Sequence, residues 1–384
     1  MPAQSIGPLG NWSSGQTDSD AAPRHAARFG PPVRGDVGLP ARPFVSFGSP
    51  KPAKTFKAVP VPERFSVDRA NFPGPVVVTG AGGCIGSWVL ALLTRAGIPA
   101  CALDVSEDKR RPRLLIPERD LERIQWRTGD IAESKAVSGI LEAVRPCAIV
   151  HLAALQVPFC KADPVAGAKV NVVGTVNIFE AARRLGIKRL AYASSIAAYG
   201  AMDEGHGAMH TLYGAYKYCD EQIAKVYSGD WGVHSIGIRP GVVYGVGRDQ
   251  GLTSKTTVAI LAAAAGKPYD VPFSGGVSWL YAGEVASAFI HAVARERAGA
   301  PVFDMNGVYA PVEEGLGILR KLAPSTAITS SGQPLAFPMH LPDQSLREYL
   351  GDYGGMPLAE GIRETYEAFR ALIGRGALAM PEAA

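Results

Sequence analysis

The sequence predicts an α/β fold: a doubly wound parallel sheet over residues 71–240, followed by a smaller lobe over 241–384. Three observations predict it. Short, nearly all-apolar runs alternate with longer stretches of helical periodicity from residue 75 to about 240, and such alternation builds parallel βαβ units. A glycine-rich turn joins the first apolar run to the first helical stretch. Beyond about Arg239 the alternation lapses, and helical stretches stand between short apolar runs.

The elements follow in order. Residues 1–70 are rich in Pro, Gly, Ser and Arg, as in "GPPVRGDVGLPARP", and show no sustained periodicity. Such a stretch cannot bury enough apolar surface to offset its ordering entropy, so a disordered extension is expected. It lacks the apolar core of a secretory signal, and Asp18, Asp20 and Asp36 count against a transit peptide. "PVVVT" at 75–79 reads as a strand buried on both faces. "CIGSWVLALLTRAG" is helical, with Gly97 near its end. "IPACALDV" and "IQWRTGDI" are the next strands, "AESKAVSGILEAVRP" is a helix and "CAIVHLA" a fourth strand. "PVAGAKVNVVGTVNIFEAARRLGI" reads as one long helix with Pro164 in its first turn. "KRLAYASS" is a fifth strand, a helix opens near Tyr213 and runs to about Ser228, and "HSIGIRP" is a sixth strand. In the lobe, "TSKTTVAILAAAAGK", "GEVASAFIHAVARERAG" and "ETYEAFRALIGRG" are helical, and "PVFDMNG" is a short apolar run between them.

Composition narrows the function. The net charge of +4 is too small to argue for a nucleic-acid partner. No apolar run is long enough to span a membrane, so no membrane association is expected. Five scattered cysteines, Cys84, Cys101, Cys147, Cys160 and Cys219, form no CxxC pair. Free thiols in a reducing compartment follow, hence a cytoplasmic protein. The seven histidines show no metal-binding spacing, and no metal is expected.

"VTGAGGCIG" places Gly80, Gly83 and Gly86 between the first strand and the first helix. Alone, a glycine triplet is weak; in this strand–turn–helix setting it is the dinucleotide fingerprint. The glycines let backbone approach a pyrophosphate, and the helix start at Cys84 and Ile85 offers free N–H groups and a partial positive charge. Asp104 ends the second strand, where an acid can accept both adenosine ribose hydroxyls and repel a 2′-phosphate. NAD is favoured, while Lys109, Arg110 and Arg111 keep NADP open.

"LYGAYKYCDE" holds three tyrosines around one lysine. Residues four apart share a helix face, so Tyr213 alone can share a site with Lys217, and Tyr216 and Tyr218 point elsewhere. A fixed cation favours a phenolate, which can take a proton from an alcohol as hydride leaves its carbon. An isolated YxxxK is ordinarily helix surface. Here "SSIAAYG" ends the fifth strand, where open α/β sheets bind ligands, and Ser195 or Ser194 can donate to a substrate oxygen.

From residue 75 onward the chain resembles the extended short-chain dehydrogenase/reductases, the NAD-dependent epimerase/dehydratase group. The resemblance rests on "TGAGGCIG", Asp104, "GDI", "HLAA", "NVVGT", "SSIAAYG", "YGAYK" and "RPGVVYGVGR", which agree in order and spacing. It implies a Rossmann domain in which Gly80, Gly83 and Gly86 cradle the pyrophosphate and Asp104 holds the adenosine ribose. It implies further that Asp130 and Ile131 border the adenine, that Leu152, Ala153 and Ala154 line the cofactor cleft, and that Pro240 and Val243 lie near the nicotinamide. Ser195, four residues before Tyr199, takes the role of the active-site hydroxyl, Tyr213 that of acid/base, and Lys217 that of ribose ligand and tyrosine activator. Asn171 supports the same network, and a homodimer through helices including that of Tyr213 is implied. Three departures stand out. Tyr216 replaces a small residue before the lysine. Ile196 follows Ser195 where sugar dehydratases carry an acid. Val277 and Ser278 stand where nucleotide-sugar members carry an Arg-Asp pair, although Lys255, Lys267 or Arg248 can supply a cation.

The leading expectation is a dehydrogenase acting on a secondary alcohol or ketone of a small polar substrate, such as a sugar, sugar acid or polyol. The second is an epimerase or dehydratase that oxidises and re-reduces a sugar or nucleotide sugar with bound NAD. The third is a cofactor-binding sensor without turnover, against which the Ser195–Tyr213–Lys217 set argues.

Overall fold

The computed structural model describes residues 58–202, 210–335 and 340–378. The expected disordered extension therefore lies mostly outside the described residues. Its last part, 58–70, is packed instead. Phe65 is fully buried and stacks on Tyr281 with ring centroids 5.9 Å apart. The Arg95 guanidinium gathers the carbonyls of Val61, Pro62 and Phe65. One aromatic anchor in a proline-rich run leaves no periodic trace, which is why composition alone misses it.

Seven parallel strands form the main sheet in the order β10-β6-β5-β4-β1-β2-β3. They are β1 (Val76–Thr79), β2 (Ala100–Asp104), β3 (Gln125–Thr128), β4 (Ala148–His151), β5 (Leu190–Ala193), β6 (Ile236–Pro240) and β10 (Val302–Met305). Alternate residues of each strand enter opposite cores. Val76, Val78, Ala100, Ala102 and Val150 pack with the Cys84–Arg95 and Ala282–Ala292 helices. Val77, Cys101, Leu103 and Ile149 pack with the Ser134–Val144, Gly174–Leu185 and Leu212–Trp231 helices. Both faces of β1 are thus buried, which explains its unbroken apolar run. At the edge, β3 is largely exposed and correspondingly polar.

Four elements differ from expectation. The long helix after Pro164 is interrupted by a π-helical segment, Lys169–Val173, between Pro164–Ala168 and Gly174–Leu185. The run "PVFDMNG" supplies β10, which lies beside β6 with Asp304 opposite Arg239 and Met305 opposite Pro240. Short helices Arg110–Leu115 and Val157–Ala162 follow β2 and β4.

Smaller sheets follow β6. One is three-stranded, β11-β9-β7, built from β7 (Val243–Tyr244), β9 (Gly276–Tyr281) and β11 (Val308–Pro311). The other pairs β8 (Tyr269–Val271) with β12 (Ile328–Ser330). Helices Lys255–Ala264, Val312–Leu322 and Leu358–Gly374 pack with them, the last being the expected closing helix.

Candidate active site

The strand order reverses between β1 and β4, so the crevice for a ligand opens at their C-terminal ends. Gly80 follows β1 with φ of +65°, a conformation that strains any side chain, and a Cβ there would lie 2.7 Å from Ala153 N. The turn can therefore lie directly against Leu152, Ala153 and Ala154 after β4. The Thr79 hydroxyl joins the two loops, accepting from Leu152 N at 3.1 Å and Ala153 N at 3.2 Å. It donates to His151 Nδ1 at 2.7 Å, and His151 Nε2 donates to Thr175 Oγ1 at 3.2 Å. Thr175 in turn donates to Asn171 O at 2.6 Å. This one-way chain assigns the imidazole proton to Nε2. Burial, with Lys217 adding to it, pushes the His151 pKa down to about 3, so the ring stays neutral.

Gly83 caps the Cys84–Arg95 helix without any side-chain hydrogen bond, and Gly86 packs against the Gly80 carbonyl. The first N–H groups, at Cys84 and Ile85, face the crevice end of the helix free of intrahelical partners. Burial pushes the Cys84 thiol up to about 12, so it stays protonated. Asp104 accepts from Gly82 N at 2.9 Å and Val105 N at 2.8 Å, which fixes its carboxylate at the edge of the loop. The three cations that kept NADP open are all engaged. Lys109 lies 3.6 Å from Glu107, Arg110 pairs with Asp108, and Arg111 pairs with Asp249 at 2.7 Å while donating to Gly82 O at 3.1 Å.

The remaining cofactor candidates divide. Asp130 accepts from Ala132 N at 2.9 Å in the turn after β3. Ile131 is buried against Gly174, and its carbonyl accepts from Asn177 Nδ2 at 2.8 Å. Pro240 and Val243 are buried at the end of β6 and in β7. Asn171 holds loop backbone with its side chain. It projects from the π-helical segment, is fully buried, and clamps Leu155 through both N–H at 2.7 Å and C=O at 3.0 Å. These two bonds tie the β4 exit loop to the π-helical segment.

Tyr213 lies in the first turn of the Leu212–Trp231 helix, which Thr211 caps by accepting from Gly214 N at 3.0 Å. Lys217 Nζ is 6.0 Å from the centre of the Tyr213 ring, on the shared face that the spacing predicts. A Cβ on Gly214 would overlap the Ala197 carbonyl, so glycine lets this helix lie against the Ile196–Ala198 turn. Ser195 caps that turn, accepting from Ala197 N at 3.1 Å, and its own proton has no acceptor among the described residues. Ser194 is buried and donates to Glu221, which Arg239 grips at 2.7 and 2.6 Å. Tyr199 is likewise engaged, donating to Asp304 at 2.6 Å, and burial with that contact pushes its pKa up to about 12. Tyr216 packs on Gly167 and donates to Pro164 O at 2.9 Å.

Asp220 is a residue that sequence reasoning missed. Its Oδ2 lies 3.3 Å from the buried Lys217 ammonium and its Oδ1 has no partner. Burial pushes its pKa up to about 6. In "KYCDE" it reads as a solvated helix charge, because two adjacent acids suggest an exposed face, whereas both Asp220 and Glu221 are buried.

Residues 76–306, well over half the chain, match the NAD-dependent epimerase/dehydratase family. The chain belongs to that family. As such it is an NAD-dependent enzyme of the extended short-chain dehydrogenase/reductase type, and the crevice fits the cofactor: a cradle at Gly80 that a Cβ would fill, an uncapped helix start, and the Asp104 carboxylate. The UDP-glucose 4-epimerase of Mycolicibacterium smegmatis is 29% identical over 319 residues, covering 77% of this chain and 98% of that protein. The Thermus thermophilus UDP-glucose 4-epimerase in complex with NAD is 25% identical, with a TM-score of 0.65 over 77% of this chain and 99% of that one. The L-threonine dehydrogenase of Clostridium difficile shares the fold at 19% identity, with a TM-score of 0.67 over 78% of this chain and 98% of that one. Val277 and Ser278 are fully buried in β9, and Ser278 Oγ donates to Asn306 O at 2.6 Å while accepting from Val242 N at 3.1 Å.

Proposed function

We propose that this protein is an NAD-dependent oxidoreductase moving a hydride between the nicotinamide and a secondary alcohol or ketone of a small polar substrate. The substrate is of sugar, sugar-acid or polyol type and carries no nucleotide handle. The observation that carries this reading is the set Ser195, Tyr213 and Lys217 at the C-terminal ends of the strands, combined with a sealed β9 where nucleotide-sugar members keep an arginine.

Bound NAD supplies the hydride acceptor or donor. Tyr213 takes the proton from the substrate hydroxyl as its carbon loses hydride, and returns it in the reverse direction. Ser195 donates to the same oxygen and holds the charge that develops on it. Lys217, tethered by Asp220, keeps a cation beside the Tyr213 ring and reaches the nicotinamide ribose. Asp104 takes the adenosine ribose hydroxyls, and with Lys109, Arg110 and Arg111 all paired to acids, NAD is preferred over NADP. Residues 71–240 serve mainly the dinucleotide and 241–384 mainly the substrate.

A second reading is an NAD-dependent epimerase, favoured by the similarity to UDP-glucose 4-epimerases. Purified protein, offered polyols, aldonates and nucleotide sugars with NAD or NADP, separates the two. NADH formed mole for mole with product supports the oxidoreductase. Isomerised product with no net NADH supports the epimerase and removes the first reading.

The protein is further proposed to be a cytoplasmic homodimer. Its five cysteines are free, and no helix among the described residues is long and apolar enough to cross a membrane. Val165, Val173, Leu212 and Val226 are exposed on the Pro164–Leu185 and Leu212–Trp231 segments, apolar surface that a second copy would cover. Light scattering in solution at the monomer mass would remove this assignment.

A further inference from the structure

Arg248 is a cation of the site that makes no ion pair among the described residues. It sits on the 245–251 loop after β7, with its Nη2 donating to Thr253 Oγ1 at 3.2 Å and its Nε buried without a partner. Asp249 next to it lies within electrostatic reach but is held by Arg111 at 2.7 Å. Tyr213 and Cys84 both lie within electrostatic reach of its guanidinium. A buried donor left unpaired is costly, and a ligand that accepts from it removes that cost.

The loop is built to hold this side chain still. Trp88 Nε1 donates to Val246 O at 2.9 Å, which pins the loop to the cofactor helix, and the Arg111–Asp249 pair pins it again beyond Arg248. Gln156 faces the same point from the β4 exit loop that Asn171 clamps. A Cβ on Gly251 would lie 2.5 Å from Gln156 Oε1 and 3.2 Å from Arg248 Nη2, so both side-chain ends flank Gly251. The Gln156 oxygen is also buried without a donor. A guanidinium with an unpaired Nε and a carboxamide oxygen without a donor among the described residues thus stand together within electrostatic reach of Tyr213.

Resting on the oxidoreductase reading, we propose that Arg248 and Gln156 form the recognition site for the substrate's carboxylate and an adjacent hydroxyl, so that the substrate is a polyhydroxy acid. Arg248 binds the carboxylate through its fork, and Gln156 Oε1 accepts from the hydroxyl next to it. The charge count selects a carboxylate over a diphosphate. One guanidinium matches one negative charge, and the nearest second cation, Arg111, is neutralised by Asp249. Of the other cations open to this role, Lys267 is exposed beyond the far end of the Lys255–Ala264 helix.

The test uses the full chain saturated with NAD and matched pairs of four- to six-carbon aldonates and alditols, which differ only in the carboxylate. Binding is read by thermal shift and intrinsic fluorescence, and NAD affinity is measured separately. At least one aldonate is expected to bind saturably, about 100-fold more tightly than its alditol. Arg248→Met is expected to lose about that factor for the aldonate with NAD affinity unchanged, and Arg248→Lys to lose about tenfold, keeping the charge without the fork. The proposal is overturned if alditols bind as tightly as aldonates, if no aldonate binds, or if Arg248→Met binds aldonate like the wild type. It is also overturned if Arg248→Met loses NAD affinity instead, which would assign the guanidinium to the cofactor's phosphates. Alditol turnover that Arg248→Met leaves intact would sink this proposal and spare the oxidoreductase. Arg248-dependent aldonate binding with isomerised product and no NADH would do the reverse.

Discussion

Tyr213 has no hydrogen-bonded base beside it among the described residues, so the proposed proton transfer relies on the ammonium on its own helix face. Asp220 determines where that ammonium rests. Tyr213→Phe removes one oxygen and keeps the ring on its packing partners. Turnover is expected to fall by about 10²–10⁴-fold, the usual worth of a positioned acid/base, while NAD affinity measured by fluorescence titration stays the same. A variant that still turned over at a tenth of the normal rate would move the acid/base elsewhere. At this scale Tyr213 and Lys217 could be read directly, because helical spacing makes a four-residue gap a contact. Ser195 was favoured over Ser194 by the family resemblance, and in the structure Ser194 donates to Glu221. Asp220 and Gln156 were hidden, and Arg248 was one of three cations the sequence offered, because no local pattern records which side chains lack a partner.

The Leu212–Trp231 helix delivers Tyr213 only because its first turn can touch the Ile196–Ala198 turn. Gly214→Val places branched carbons against the Ala197 carbonyl and drives the helix outward. A displacement of about 1 Å at the reacting atoms is expected to lower kcat by about 100-fold. The accompanying loss of stability is about 1–3 kcal/mol, seen in urea unfolding. Full activity in this variant would mean that the close approach does not set the geometry. The buried strands were readable as elements because each is apolar on both faces. The π-helical segment was not, since a shift in hydrogen bonding from 169 to 173 leaves the surrounding helical periodicity intact. β10 was not readable as part of the main sheet because its partner, β6, lies some sixty residues earlier and the run itself is only four residues long.

Across the molecule, Glu284 ties the Ala282–Ala292 helix to the segment around 343–356, accepting from Arg347 Nη2 at 2.7 Å and Met356 N at 3.1 Å. Burial pushes its pKa up to about 7, above the 4.5 of an unfolded glutamate. The folded state therefore binds the proton more tightly. The resulting stability is fully present below about pH 4.5 and is lost as pH rises through about 7, a change of about 3 kcal/mol. Thermal unfolding between pH 5 and 8 is expected to show the wild type losing stability relative to Glu284→Gln as pH rises. Parallel curves would show that Glu284 is charged throughout. The doubly wound architecture was visible in the sequence, but the contribution of residues 58–70 to it was not. Phe65 joins the core through Tyr281, a partner more than two hundred residues away.

Arg111 has one further consequence. It holds Gly82 of the cofactor turn and Asp249 of the loop bearing Arg248 in the same guanidinium. The two ligands therefore meet through a shared lever, and thermodynamic reciprocity governs it: whatever factor NAD applies to acid affinity, the acid must apply to NAD affinity. Titrating each ligand with and without the other should return one common factor, and Arg111→Gln should bring it toward unity. Equal factors in wild type and variant would place the coupling elsewhere.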